Sequence, residues 1–334
     1  MSVTVTRTPR ALGASGLSVF PIGLGCMSLS GAYGKSEDDQ GIRVVQHAID
    51  RGTTFIDSSD MYGWGHNETL LGKALVGGRR DKVVLVTKFG QTQNPGGANG
   101  VNGRPDYVKQ ACEASLKRLG VDVIDLYFQH RVDPSVPIEE TVGAMGELVK
   151  QGKVRALGLS EAKPETIRRA HKTHPIAAVQ SEYSLLYRKD AEETLETTRP
   201  LGITYVAYSP LGRSLLTGSV RQASDIPEGD GRGRHPRFAA DNLARNLALA
   251  SKVEAIAKAK GCTPGQVALA WVLAQGTDIV PIPGTKRTER VDENLGALDV
   301  GLTAEEVAQL SSALPPGAAA GGRYAEAQMK AVYL

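Results

Sequence analysis

Cysteine is scarce in this chain of 334 residues: Cys26, Cys112 and Cys262 are the whole supply, far apart and odd in number. That speaks against a disulfide framework and offers no paired thiols for a zinc site. Aromatic residues are few, at 5%. No apolar run approaches the roughly 20 residues of a membrane-spanning helix, and the opening MSVTVTRTPR lacks the apolar stretch of a secretory signal. An excess of one charge is missing too. The formal net charge is only +3 and is spread along the chain, which is no basis for binding nucleic acid or a membrane surface. The expectation is a cytoplasmic globular protein with a small-molecule partner and no resident metal. A monomer and a homo-oligomer stay equally open.

What is present is ordinary core material, 41% hydrophobic and 22% charged. Short β-branched runs alternate with longer segments of helical spacing. Strands are predicted at Val19–Leu24, Thr54–Asp57, Lys82–Thr87, Val123–Phe128, Val154–Leu159, Ala177–Gln180, Ile203–Tyr208 and Asp278–Ile282. Runs such as VVLVT and VIDLYF are nearly all apolar, as strands buried on both faces of a parallel sheet must be. Between strands, Asp38–Arg51 repeats apolar Ile42, Val45, Ala48 and Ile49 at helical spacing. Asp106–Leu119, Ile138–Lys150, Pro164–Lys172 and Lys189–Arg199 are the next helices.

Eight strands with helical crossovers predict an α/β fold of one domain over residues 1–334, a closed (β/α)₈ barrel over about 19–300 with a tail over about 301–334. The competing fold is an open doubly wound sheet, whose dinucleotide fingerprint is G-x-G-x-x-G. Here Gly23-Leu24-Gly25-Cys26-Met27-Ser28 stops after two glycines. Arg10–Phe20 has the turn residues of a hairpin that plugs the barrel floor. Gly218–Pro236 is the one long irregular stretch, either a lid or a solvated loop, and its Arg232, Arg234 and Arg237 face phosphate or water accordingly.

Barrel enzymes carry their chemistry at the C-terminal ends of the strands. There stand Asp57 with Tyr62 behind it, Lys88, Gln129-His130, Ser160-Glu161, Gln180, Tyr208-Ser209-Pro210 and Gly284-Thr285-Lys286. Singly, each has a structural explanation as a cap, turn or rim residue. Together, a carboxylate, a lysine, a phenol and an imidazole suit one task. A phenol with an ordinary pKa of about 10 is a poor donor at neutral pH. An ammonium beside it lowers that value, and a carboxylate keeps the ammonium charged and fixed. The imidazole orients a carbonyl oxygen. Such a group protonates that oxygen while hydride arrives at carbon.

The segments PIGLGCMSLSGAYG, FIDSSDMYGWGHNETLLGKAL, VTKFG, DLYFQHRVDP, GKVRALGLSEA, VQSEYSLL, YVAYSPLG and PIPGTKRTERVDENLGAL run nearly the length of the chain. In content and order they resemble the aldo-keto reductases, and most closely the pyridoxal reductase and auxin-induced-protein-like members. The resemblance implies a barrel that takes NADP(H) without a Rossmann domain, and a catalytic tetrad at Asp57, Tyr62, Lys88 and His130. It implies that Ser160 and Gln180 grip the nicotinamide carboxamide, with Glu161 a weaker contact, and that Tyr208 stacks on the ring. Ser209, Pro210, Leu211, Gly212 and Arg213 match the loop along the pyrophosphate. Gly284, Thr285, Lys286 and Arg290 match the clamp on the 2′-phosphate, and Glu293 and Asn294 the groups at the adenine.

One position departs from the common pattern: Glu161 stands where many members have Asn, and a carboxylate accepts from an amide but cannot donate to it. Trp64, Tyr33, Met27, Tyr127 and the Gly218–Pro236 loop either line a substrate wall or pack the rim. The activity implied is NADPH-dependent reduction of an aldehyde or ketone with Tyr62 as general acid. The alternative is an NADP(H)-sensing regulatory subunit with little turnover, as in family members that serve potassium channels.

Overall fold

Eight parallel strands pair in chain order and close on themselves. The computed structural model describes residues 2–3, 6–93 and 99–334. The strands are β1 (Leu24–Gly25), β2 (Phe55–Asp57), β3 (Val84–Phe89), β4 (Ile124–Gln129), β5 (Val154–Ser160), β6 (Ile176–Glu182), β7 (Thr204–Tyr208) and β8 (Ile279–Pro281). Each pairs in parallel with the next, and a bridge between Gly25 and Gly284 closes the ring. At this seam Gly23 N donates to Pro281 O at 3.0 Å and Gly25 N to Pro283 O at 3.3 Å. The approach needs glycine: a Cβ on Gly25 would stand 2.8 Å from Ile282 O, and one on Gly284 2.9 Å from Gly25 O. The expected closed barrel is therefore what forms, and the open sheet is not.

The longer helices among the described residues are α1 (Asp38–Asp50), α2 (His66–Ala74), α3 (Pro105–Leu119), α4 (Ile138–Lys150), α5 (Pro164–Thr173), α6 (Lys189–Thr198), α7 (Ala240–Lys260), α8 (Pro264–Leu273), α9 (Thr288–Leu295) and α10 (Ala304–Ala313), with a single turn at Glu326–Met329 near the end. The five predicted helices match within a residue or so. α8 escaped the pattern because its residues are buried or apolar all round, which leaves no face to recognise. The first strand is shorter than expected. Val19 belongs to the N-terminal hairpin, and Pro21, with no N–H to give a ladder, separates it from β1.

Side chains alternate along each strand, so one residue in two faces the barrel axis. Phe55, Val84, Val86, Leu126, Phe128, Ala156, Ala178, Val206 and Val280 fill the interior. Phe128 reaches the centre because Gly158 opposite has no side chain; a Cβ there would lie 2.3 Å from the Phe128 ring. The floor is closed by the predicted hairpin, whose strands are Arg10–Ala11 and Ser18–Val19 and whose Leu12, Leu17 and Val19 join this cluster. Continuing the same alternation upward leads to Asp57, Lys88, His130, Ser160, Gln180 and Tyr208. The top layer of the barrel is polar because these residues end its strands.

Candidate active site

Lys88 is the hub of that layer. Its Nζ donates to Asp57 Oδ1 at 2.6 Å, to the Ser58 carbonyl at 2.7 Å and to the Tyr62 hydroxyl at 3.2 Å. Lys88 and Asp57 are 0% and 2% exposed, so the pair is out of bulk water. Gln180 Nε2 donates to the second carboxylate oxygen of Asp57 at 2.8 Å. Tyr62 lies in the turn after β2, which is pinned from below by Asn67: its Nδ2 donates to the Cys26 carbonyl and its Oδ1 accepts from Ser58. The Tyr62 ring meets His130 edge-on, with centroids 5.8 Å apart. His130 Nδ1 is 2.9 Å from Ser59 Oγ. The four residues expected to act together are thus within reach of one another.

Burial dominates the electrostatics. It pushes the Asp57 carboxyl up, against the pull of Lys88 and Gln180, and pushes the Lys88 ammonium down, against the support of Asp57. Burial and the Arg131 cation hold His130 well below its usual range, so the ring is neutral. The Tyr62 phenol corrects the expectation. Burial, then the Asp57 carboxylate, hold it well above its ordinary value rather than below.

Most of the cofactor positions gather on the same rim, but the buried Glu161 and Arg213 are each held in ion pairs with other residues. Ser160 Oγ accepts from Arg131 Nη1 at 3.3 Å, which leaves its own proton to give. Gln180 uses its NH₂ on Asp57, which leaves its carbonyl to accept. One spare donor beside one spare acceptor complements a primary carboxamide. Glu161 does not join them. Both its oxygens are held by Arg323, at 2.7 and 2.6 Å, and Oε1 also accepts from the Tyr208 hydroxyl at 2.8 Å. Arg213 is likewise turned inward, donating to both oxygens of Glu182 at 3.2 and 3.0 Å. Arg237 donates to Glu182 as well, at 2.8 Å, so it meets neither phosphate nor open water. Burial would raise the Glu182 carboxyl, but Arg213, Arg237 and Arg323 outweigh it and hold it at about 2.

Past the seam, Gly284 and Thr285 lead to Lys286, whose Nζ donates to the carbonyls of Tyr33 and Lys35 at 2.8 and 3.0 Å. One of its three N–H bonds is left to give. Arg290 pairs with Glu293, and Asn294 is buried in the last turn of α9. Ser209, Arg213 and Ser214 adopt left-handed backbone (φ 49°, 55° and 79°) around the largely buried Pro210–Gly212 turn, as does Glu161 (56°) directly after β5. Non-glycine residues held there mark a strained loop, and such strain gathers at functional sites.

The Gly218–Pro236 loop is ordered over the mouth. Gly231 N donates to the Ala32 carbonyl, Asp230 bridges to Tyr33, and Arg232 is spent on Asp230. Tyr33, Met27 and Trp64 stay partly exposed at the mouth. Tyr127 does not: it is 0% exposed and stacks on Phe89 outside the strands, so it lines no substrate wall. Residues not picked out in advance include Arg131, Glu182, Arg323 and Tyr324. Arg131 was visible in QHRVDP; the last two carry no periodic signal. A cavity of about 720 Å³ lies at the opposite, N-terminal end. Its charged groups are spent there, Arg199 on Asp278 and Arg10 on backbone carbonyls, so it offers no comparable chemistry.

The comparisons with known proteins agree with this geometry. Residues 21–315 match the model of the aldo/keto reductase family. A probable aldo-keto reductase from Glycine max is 48% identical over 317 residues, 95% of this chain and 91% of the relative. Among solved structures, a glycerol dehydrogenase from Gluconobacter oxydans superposes with a TM-score of 0.83 at 29% identity, covering 93% of this chain and 97% of that one. An aldo/keto reductase from Klebsiella pneumoniae, solved in complex with NADP and acetate, gives 0.72 at 28% identity over 95% and 98%. By fold, by site and by these matches, the chain belongs to the aldo/keto reductase family.

Proposed function

We propose that this protein reduces an aldehyde or ketone to the alcohol with Tyr62 as general acid. Family membership makes the chain an NADP-dependent oxidoreductase. The observation that carries the finer reading is the position of Lys88 Nζ, at once 2.6 Å from Asp57 and 3.2 Å from the Tyr62 hydroxyl. The residues fit NADP(H): Ser160 and Gln180 would hold the carboxamide, Tyr208 the ring face, and Thr285, Lys286 and Arg290 the 2′-phosphate, with Glu293 and Asn294 at the adenine. Cationic donors suit that phosphate. When bound, the reduced nicotinamide supplies hydride to the carbonyl carbon.

The chain's own residues do the rest. The Tyr62 phenol is protonated at neutral pH, the state a donor needs, but burial makes it a weaker acid, so transfer depends on stabilising the phenolate. As the carbonyl oxygen gains negative charge it takes the proton from Tyr62 Oη. The phenolate left behind then sits 3.2 Å from the Lys88 ammonium, which stabilises the product of the transfer rather than the resting phenol. In the tautomer whose Nδ1 accepts from Ser59, neutral His130 carries its proton on Nε2 and can point a carbonyl oxygen at Tyr62.

Tyr62→Phe tests the assignment, because it removes the proton and keeps the ring. Single-turnover hydride transfer, followed by stopped-flow NADPH absorbance with a panel of aldehydes, should fall by about 10²–10⁴-fold. NADPH should bind within a few-fold of wild type by fluorescence titration. Near-wild-type reduction by this variant would refute the mechanism, whereas tight cofactor retention with little turnover in the wild type would favour a nucleotide-sensing subunit.

A further inference from the structure

The last segment of the chain enters the site. Arg323, 2% exposed, forms a two-pronged ion pair with Glu161, and its Nη1 also reaches the Tyr208 hydroxyl at 3.3 Å. Tyr324 shares that hydroxyl through its own, at 2.9 Å. The segment is fastened on both sides: Asn246 exchanges hydrogen bonds with Ala320, and His235 Nδ1 meets the Arg323 carbonyl at 2.9 Å. Glu161 is held in left-handed backbone while this pair forms. A buried carboxylate and a buried guanidinium are thus placed together beside the residue assigned to the nicotinamide.

We propose that Arg323 is a positioning residue that sets which oxidation state of the cofactor the site prefers, acting through Glu161. The proposal rests on the reading of Tyr208 as the nicotinamide platform. The oxidised ring carries a positive charge and the reduced ring does not. A lone Glu161 carboxylate behind Tyr208 would therefore favour NADP⁺, and a lone Arg323 cation would oppose it. Paired, the two cancel, and the site is left free to hold the reduced form. This also accounts for a carboxylate where many relatives have an amide: the charge is tolerated because the tail neutralises it. A unit charge about 6 Å away, in a medium of effective ε near 20, shifts a binding equilibrium by about 10²-fold.

The test is equilibrium binding, not turnover. NADP⁺ and NADPH are titrated separately into the full-length protein, following protein fluorescence and NADPH emission at pH 8. Arg323→Met should lower the ratio of the NADP⁺ Kd to the NADPH Kd by about 10²-fold, and Glu161→Gln should raise it. The double variant should return it to within about twofold of wild type. A purely structural role would move both single variants in one direction; that result, or no shift in the ratio, overturns the proposal. Glu161→Gln keeps the shape of the pair and tests the sign alone if Arg323→Met does not fold. A wild-type protein that binds neither cofactor would instead refute the functional reading itself.

Discussion

Removing Lys88 while leaving Asp57 in place should produce a protein that is more stable in acid than at neutral pH. In the wild type the pair is 2.6 Å apart and fully buried, and Lys88 is the main influence opposing burial at the Asp57 carboxyl. In Lys88→Met only the Gln180 amide remains on that carboxylate. Breaking a buried pair by deleting one partner costs about 3–5 kcal/mol. At roughly 2 °C per kcal/mol for a chain of this size, Tm should fall by about 6–10 °C near pH 8. The carboxyl, already raised by burial, rises further without its cation. A folded pKa above the unfolded value of about 3.9 means the folded state binds the proton more tightly. Stability is then greatest below the unfolded value and is lost as pH rises through the folded one. The Tm deficit should therefore shrink steadily as the buffer is taken from pH 8 towards 4.5. Asp57→Asn combined with Lys88→Met removes the titrating group and should give a deficit that does not vary with pH. Scanning calorimetry or near-UV circular dichroism on the three proteins is sufficient. A single-variant deficit that stays constant across this range would show that Asp57 is not left as an unpaired buried charge.

Neutral His130 makes a second expectation. Because its folded pKa is depressed, its contribution to stability is fully present above the ordinary imidazole value and is lost progressively as pH falls from there to the folded value. Plots of kcat against pH from about 8 to 5.5 should show no inflection near 6.5 that His130→Ala abolishes; such an inflection would contradict the assignment. The same variant should lose hydride transfer but not NADPH affinity. At the far end of the cofactor groove, Lys286→Ala with Arg290→Ala should raise the NADPH Michaelis constant by roughly 10²-fold and leave the NADH value nearly unchanged. Equal Michaelis constants for the two cofactors in the wild type would end that claim.

The barrel and three of the four candidate residues, Asp57, Lys88 and His130, were legible because one rule places both. Period-two alternation places Val84 and Val86 inside the barrel, and carries on to Lys88; Leu126 and Phe128 carry on to His130 in the same way. Apolar runs that end in one ionisable residue announce the strand and the site together. What was hidden depends on partners far away in the chain. Nothing local says that Arg213 prefers Glu182, or that Arg323 will cross back to Glu161. The direction of the Tyr62 shift was also misjudged, since the pattern supplies an ammonium but not the burial that outweighs it. β1 was overextended because hydropathy alone does not register the missing N–H of Pro21.

Seven of the strand contacts join neighbours in sequence, and the eighth joins Gly25 to Gly284 from opposite ends of the barrel. During synthesis β1 must wait for the whole ring before its second partner exists, so the hoop is completed last. Thr285 and Lys286 follow that seam directly. A dinucleotide seated on them would bind the closed hoop and not the opened one, adding about 1.4 kcal/mol for each tenfold of ligand above its Kd. Breathing of the fold, and with it exposure to proteases, would then follow the nucleotide pool of the cell, making the lifetime of the enzyme a readout of its own cofactor supply.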